Sequence, residues 1–110
     1  MVRKATLDID SNGKKIELRT GDEVVIELQV MGSAGYGWYF DGFDSDHFDL
    51  IGEETKPVNQ EKGIVGAPVL GLWTLQATRP GTSFIRMKYY RVWEGKDTSG
   101  KQFEVEVHIQ

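Results

Sequence analysis

The chain has 110 residues, which is short for more than one domain, so we expect a single domain over 1–110. Its 13 basic and 17 acidic residues give a net charge of −4, and this acidic balance argues against nucleic acid as a partner. Cysteine is absent, which excludes disulfides, thiolate metal sites and a cysteine nucleophile, and there are only two histidines.

Neither a membrane span nor a signal peptide is recognised in the sequence. No run approaches the roughly 18 consecutive apolar residues that a transmembrane helix needs. The N-terminal basic pair Arg3-Lys4 is not followed by an apolar stretch. We therefore expect a chain that does not enter the membrane, residing in the cytoplasm or outside it after removal of a leader.

The N-terminal part predicts two short strands joined by a turn. Leu7 and Ile9 precede Asn12-Gly13, and Ile16 and Leu18 follow it. Asn-Gly between two alternating runs is a strong hairpin signal, because both residues tolerate positive φ. We therefore expect a β-hairpin at the start of the chain.

Further along, apolar residues alternate with polar ones in four segments, which is typical of half-buried strands. These segments are Val24–Val30, Trp73–Ala77, Ile85–Tyr89 and Phe103–Ile109. No window has the apolar spacing of a long helix. Seven to eight short strands in a chain of this length predict an all-β, immunoglobulin-like antiparallel β-sandwich.

Three glycine-containing segments interrupt the alternation. They are Met31–Trp38, roughly Thr55–Leu72, and Arg91–Lys101. Each lies beside a predicted strand, and the connections of a sandwich emerge at its two ends. If all three segments lie at the same end, they form one composite surface, as antibody loops do.

The acidic run Asp41–Asp49 contains four aspartates and His47, so a metal site has to be considered. The spacing does not match a calcium loop, and a solvated turn with Phe43 and Phe48 facing the core is the favoured interpretation. A Ser-His-Asp arrangement using Ser33 with His47 or His108 lacks the turn that exposes a nucleophile. We therefore expect no metal, no cofactor and no enzymatic activity.

Aromatic residues lie at the borders of the glycine-containing segments. Trp38 and Tyr89 are expected in the core at strand ends. Trp93 lies among polar residues beyond the end of an alternating run. It is either tucked against the edge of the sandwich or exposed for a partner, and an exposed tryptophan beside Arg91 is typical of an interface hot spot.

The three segments resemble the loops of the chagasin family of cysteine-peptidase inhibitors. That family carries an Asn-Pro-Thr-Thr-Gly-Tyr/Phe-x-Trp loop, a glycine-rich second loop and an Arg-Pro-Trp third loop on an immunoglobulin-like sandwich. The matching residues are Gly35, Tyr36 and Trp38 in the first loop, Gly66 in the second, and Arg91 and Trp93 in the third. The Asn-Pro start is missing, and Val92 replaces the proline of the third loop.

The resemblance implies a reversible, non-covalent inhibitor whose three loops occlude the cleft of papain-like cysteine peptidases of the papain and cathepsin L type. The first loop would cover the catalytic cysteine and histidine, and the other two would clamp the sides. The implied peptidase-binding residues are Gly32, Ser33, Ala34, Gly35, Tyr36, Gly66, Ala67, Arg91 and Trp93. We expect a monomer without nucleic-acid or membrane partners.

Two other functions remain open from the residues themselves. A carbohydrate- or ligand-binding sandwich would use Tyr36, Tyr90 and Trp93 as stacking platforms. An adhesion or structural module would leave no tryptophan exposed at position 93.

Overall fold

The computed structural model describes residues 3–31, 35–57, 68–95, 97 and 100–110. Within these residues, eight strands form two four-stranded sheets, which confirms the predicted β-sandwich. The strands are β1 (Lys4–Leu7), β2 (Lys15–Leu18), β3 (Glu23–Met31), β4 (Tyr36–Phe40), β5 (Phe48–Pro57), β6 (Pro68–Ala77), β7 (Gly81–Arg91) and β8 (Lys101–Ile109). The first sheet has the order β1-β3-β6-β5, and the second has the order β2-β8-β7-β4.

The alternating apolar positions meet between the two sheets and form one core, as predicted. Trp38 and Tyr89, both expected in this core, are only 6% and 8% exposed. The other buried members of the cluster are Leu7, Leu18, Val24, Ile26, Leu28, Phe48, Trp73, Leu75, Ala77, Ile85, Met87, Phe103, Val105, Val107 and Ile109. None of the described residues belongs to a helix long and apolar enough to cross a bilayer.

The predicted N-terminal hairpin is wrong. β1 pairs in parallel with β3, and β2 pairs in parallel with β8, so β1 and β2 belong to different sheets. A 3₁₀ turn (Ile9–Ser11), capped by Asp8, lies between them. Asn12 has φ −55°, so only Gly13 of the Asn-Gly pair adopts the positive φ that a type I′ turn requires at both positions. Ile9 accordingly lies in the turn, 51% exposed, rather than in the core.

The sequence pattern missed β5, which begins at Phe48 inside the acidic run. The register of β5 against β6 shifts between Leu50 and Gly52, as a β-bulge requires. The bulge breaks the two-residue period and leaves Leu50 and Ile51, two neighbouring residues, 43% and 49% exposed. Without alternation, this edge strand has no recognisable pattern in the sequence.

The strand register places the strand ends that flank three connections at one end of the sandwich, which fulfils the condition for a composite surface. In the first sheet, Met31 at the end of β3 is opposite Pro68 at the start of β6, and β5 ends at the same level. In the second sheet, Tyr36 at the start of β4 is opposite Arg91 at the end of β7. We call this the loop end, and its connections 32–35, 58–67 and 92–100 the first, second and third loop. The second loop is shorter than predicted because β5 and β6 extend into the predicted segment.

Asp22 is a buried carboxylate that ties three parts of the first 25 residues together. It is 3% exposed, and its two oxygens accept hydrogen bonds from the backbone N–H groups of Arg19 (2.9 Å) and Arg3 (3.1 Å). The bond from Arg19, followed by that from Arg3, holds the pKa of Asp22 below its ordinary value. The folded state therefore favours the ionised carboxylate.

This geometry predicts an acid-sensitive contribution to stability. Because the folded pKa is lower than the unfolded one, the contribution is fully present above about pH 4–5 and is lost as pH falls through the folded pKa. Asp22→Asn should lower Tm by roughly 5 °C at pH 7 and flatten the acid limb of a urea-unfolding series between pH 2 and 6. Asp49→Asn, at an exposed position of β5, is the matched control. An acid limb in Asp22→Asn as steep as in the wild type would contradict this role.

Candidate functional site

The first loop enters the second sheet through a glycine in a left-handed conformation. Gly35 has φ +77°, a region that glycine adopts without the steric cost paid by other residues. β4 begins at the next residue, Tyr36, so Gly35 sets the direction of the chain as it leaves the first loop. Gly32, Ser33 and Ala34 of the predicted contact set lie outside the described residues.

Tyr36 is the base of this arrangement and contacts two side chains of β7. Its ring stacks on Tyr89, with centroids 5.1 Å apart and planes within 9°. The guanidinium carbon of Arg91 lies 4.6 Å from the centroid of the Tyr36 ring. The three side chains share the inner face because Arg91 is opposite Tyr36 and Tyr89 is opposite Trp38 in the ladder. Each such contact contributes about 0.5–1.5 kcal/mol, so Tyr36 is a fixed support for the first loop.

The third loop begins with a turn closed on Arg91. The carbonyl oxygen of Arg91 accepts hydrogen bonds from the backbone N–H groups of Glu94 (2.9 Å) and Gly95 (3.2 Å). The Arg91 guanidinium also lies 3.3 Å from a carboxylate oxygen of Glu94. Arg91 therefore organises the turn with its backbone and binds Tyr36 and Glu94 with its side chain.

Val92 and Trp93 are the exposed large hydrophobic residues of this turn, with 62% and 70% of their surface accessible. Trp93 is therefore exposed, rather than tucked against the edge of the sandwich. Large apolar side chains exposed side by side on a turn are typical of a binding surface.

Trp93 also contacts the first loop. A β-carbon placed on Gly35 would lie 2.2 Å from Cη2 of the Trp93 indole, well inside van der Waals contact. The indole thus occupies the space that any side chain at position 35 would need. This contact brings the first and third loops together, so Gly35, Tyr36, Arg91 and Trp93 form one continuous group.

For the second loop, the structure describes only the flanking strands, β5 and β6. Gly66 and Ala67 lie outside the described residues. Close to this loop, the indole of Trp73 lies over Gly71, where a β-carbon would come within 2.6 Å of it. The Trp73 indole N–H donates to Glu53 of the neighbouring strand at 3.2 Å. β5 and β6 are therefore joined by side chains as well as by backbone near the loop end.

Three supporting residues were not among the predicted site residues. Tyr89 carries the Tyr36 ring, Glu94 pairs with Arg91, and the ammonium of Lys101 lies 5.3 Å from the Tyr89 ring centroid. Tyr89 was expected in the core from its alternation, but its partner depends on the register between β4 and β7. No sequence signal identifies Glu94 or Lys101 as partners.

The aromatic side chains suggested as a carbohydrate platform do not share one surface. Tyr36 lies on the inner face of the second sheet, whereas Tyr90 is on the opposite face and contacts Tyr39, with centroids 5.0 Å apart. Trp93 lies against Gly35. A stacking platform needs rings exposed on the same side, so this arrangement does not favour the carbohydrate-binding alternative.

The acidic run forms a hydrogen-bonded turn far from the loop end. Asp44 accepts a hydrogen bond from the Ser83 hydroxyl at 2.6 Å and contacts Nδ1 of His47 at 2.8 Å. The Ser83 bond, followed by His47, holds the pKa of Asp44 below its ordinary value. Because Ser83 and His47 both bind the Asp44 carboxylate, the serine is not activated as a nucleophile. Phe48 is buried and Phe43 packs against the core, which confirms the interpretation as a solvated turn.

The described residues contain no group of three or more histidine, aspartate and glutamate side chains arranged to hold a metal ion. His108 pairs with Glu106 of the same strand, and this bond holds the pKa of Glu106 below its ordinary value. Both residues belong to β8 at a distance from the loop end.

A cleft of about 530 Å³ opens at the side of the sandwich. β1 pairs with β3 only as far as Ile26, and β2 pairs with β8 only from Glu106 onwards, so the remaining parts of β3 and β8 are not covered by these strands. Leu28 and Trp38 are among the lining residues, and the Trp38 indole N–H donates to the carbonyl oxygen of Gln29 at 3.0 Å. Among the predicted contact residues that the structure describes, namely Gly35, Tyr36, Arg91 and Trp93, none lines this cleft.

Comparison with known sequences gives one family. The profile of the chagasin family of peptidase inhibitors, I42, matches residues 17–107. Amoebiasin-2 of Entamoeba histolytica is 30% identical over 83 residues, which cover 74% of this chain and 67% of the relative. Chagasin of Trypanosoma cruzi is 25% identical over 96 residues, which cover 86% and 87% of the two chains.

Solved structures share the same sandwich. The crystal structure of the cysteine protease inhibitor EhICP2 from Entamoeba histolytica has a TM-score of 0.89 at 24% identity, covering 99% of this chain and 97% of the other. The structure of PbICP-C in complex with falcipain-2 has a TM-score of 0.71 at 16% identity, covering 96% and 99%. These likenesses confirm the predicted fold.

Proposed function

This chain belongs to the chagasin family of peptidase inhibitors, and from that premise we propose that its loop end enters and closes the active-site cleft of papain-like cysteine peptidases. PbICP-C, which has the same fold, forms a complex with falcipain-2. The chain is accordingly an inhibitor of a peptidase and not an enzyme.

The observation that supports the proposal most strongly is the exposed Trp93 turn packed against Gly35. It combines two loops from different parts of the sequence into one projecting surface on a rigid sheet. A projecting apolar surface complements a concave cleft. Rigid strands behind it reduce the ordering that binding would otherwise require.

Each loop has a proposed role. Ser33, Ala34 and Gly35, following Gly32, form the tip that excludes substrate and water from the catalytic centre. Gly66 and Ala67 shape the contact on one side of the cleft. Val92 and Trp93 supply the apolar contact on the other side, since they are the exposed large hydrophobic residues in the described part of the third loop.

For Arg91 we propose a different role from the one that the resemblance implies. Its guanidinium lies over the Tyr36 ring and against Glu94, so its contacts are within the inhibitor. We propose that Arg91 supports the first loop and adds positive charge beside the interface, rather than acting as a free anchor in the peptidase. Tyr36, stacked on Tyr89, likewise supports the loop from below.

Inhibition by this arrangement is reversible occlusion. The chain has no cysteine and therefore cannot form a mixed disulfide with the catalytic thiolate of the peptidase. The affinity has to come from an interface of about 1,600 Å² in total, the standard size for tight protein complexes.

Titration of papain with the purified chain tests the proposal. Activity against a small fluorogenic substrate is expected to fall to near zero at a micromolar or lower inhibitor concentration and to return on dilution. Trypsin, a serine peptidase with a different active site, is the control and should remain fully active. Undiminished papain and cathepsin L activity at about 10 μM chain, an affinity weaker than about −7 kcal/mol, would exclude the proposed function.

A further inference from the structure

We infer that Trp93 is a positioning residue for the first loop as well as an exposed contact: its indole, seated on Gly35, holds the end of that loop in the conformation that binds the peptidase. The inference rests on the proposed inhibition of papain-like peptidases and assigns the third loop a second task within the same site.

The distances show how closely the indole sits on the backbone. A β-carbon placed on Gly35 would lie 2.2, 3.0 and 3.1 Å from Cη2, Cζ3 and Cζ2 of Trp93. These atoms belong to the six-membered ring, so the far end of the side chain rests on the glycine, while 70% of the residue remains accessible. The indole is therefore both a partner of Gly35 and a surface residue.

The third loop starts with a turn closed by hydrogen bonds. The backbone N–H groups of Glu94 and Gly95 donate to the carbonyl oxygen of Arg91. From this turn, Arg91 contacts Tyr36 and Trp93 contacts Gly35. The same turn therefore holds the last residue of the first loop and the first residue of β4. Fixing a loop before binding lowers the entropic cost of the complex.

Glycine is required at position 35 for two separable reasons. One is the backbone conformation, since φ is +77°, and the other is the space occupied by the indole. Gly42 provides a matched control for the first reason: its φ is +73°, and a β-carbon there would meet nothing within 4 Å. Gly42→Ala thus introduces similar backbone strain without a steric conflict with Trp93.

A double-mutant cycle separates the two reasons. The inhibition constant for papain is measured for the wild type, Gly35→Ala, Trp93→Ala and the double variant. The conformational strain of alanine is present in both backgrounds and cancels, whereas the conflict with the indole exists only where Trp93 remains. We expect the fold-change caused by Gly35→Ala to be about tenfold larger with Trp93 than with Ala at 93. Equal fold-changes in both backgrounds would overturn the inference, and Gly42→Ala should leave inhibition unchanged.

Proton NMR of the free chain supplies a readout that needs no peptidase. In the wild type, the α-protons of Gly35 are expected to show ring-current shifts from the indole, and Trp93→Ala should return them to the values of an unpacked glycine. Trp93→Phe, which keeps a ring, should retain part of the displacement. Unchanged Gly35 shifts in Trp93→Ala would overturn the positioning role even if papain is inhibited. Absent inhibition with displaced shifts would overturn the proposed function alone.

Discussion

Replacing Trp93 with alanine is expected to raise the inhibition constant for papain about 30-fold, which corresponds to roughly 2 kcal/mol of binding free energy. The side chain is 70% exposed in the free chain, so its surface is available for burial in a complex. A tryptophan that becomes buried at the centre of an interface is among the residues whose truncation costs most. Part of the loss arises because the first loop is no longer held at Gly35.

The effect should appear mainly as faster dissociation, measured by following the recovery of papain activity after dilution. Val92→Ala is the matched control, since Val92 is 62% exposed on the same turn but offers a much smaller apolar surface, and valine is under-represented among hot spots. The free energy of unfolding of Trp93→Ala should stay within about 0.5 kcal/mol of the wild type. Unaltered inhibition, or a large loss of stability, would show that Trp93 is a structural residue instead.

Replacing Trp38 with alanine is expected to reduce the free energy of unfolding by about 3–5 kcal/mol, the usual cost of truncating a buried aromatic residue. Trp38 is 6% exposed, and its ring contacts Tyr89 with centroids 5.1 Å apart. Its indole N–H donates to the carbonyl oxygen of Gln29 and thereby links the two sheets. The truncation therefore leaves a cavity and removes the hydrogen bond to Gln29 at the support of the first loop.

Urea unfolding followed by far-UV circular dichroism measures this loss. Trp38→Phe keeps most of the apolar volume and loses the hydrogen bond, so it should lie between the wild type and Trp38→Ala. Trp93→Ala is the control, because it removes the same side-chain atoms from an exposed position and so shows the effect of the substitution without the loss of burial. A Trp38→Ala variant as stable as Trp93→Ala would contradict the assignment of Trp38 to the core.

The outcome for individual strands shows what periodicity can and cannot predict. β3, β7 and β8 were recognised because one face is buried and the other is wet, so alternation is directly visible. β5 was missed because it is an edge strand with a bulge at Leu50–Gly52, and a bulge removes the two-residue period. The Asn12-Gly13 pair suggested a hairpin between β1 and β2. Strand pairing is decided by long-range contacts, however, and β1 pairs with β3 whereas β2 pairs with β8 of the other sheet.

The candidate site was predictable in part. Gly35, Tyr36, Arg91 and Trp93 were named from the order of short motifs, and the structure brings these four together. Their mutual contacts were not predictable: the 4.6 Å approach of Arg91 to Tyr36 and the seating of Trp93 on Gly35 join residues more than 50 positions apart. Such pairs depend on strand register, which a single sequence does not reveal. The peptidase-binding roles of all nine implied residues, the single domain over 1–110 and the monomeric state stay predictions.

The residues alone determine the two-sheet core, the absence of thiol chemistry and the presence of glycine-containing segments between strands, because these follow from composition and local periodicity. Tertiary structure decides which segments meet, and here it places the guanidinium of Arg91, one of the implied peptidase-binding residues, over the ring of Tyr36. It also turns Trp93 from a residue with two possible positions into an exposed side chain that rests on the first loop. The physical reason is that both assignments depend on long-range pairing of β4 with β7, which places the first and third loops side by side.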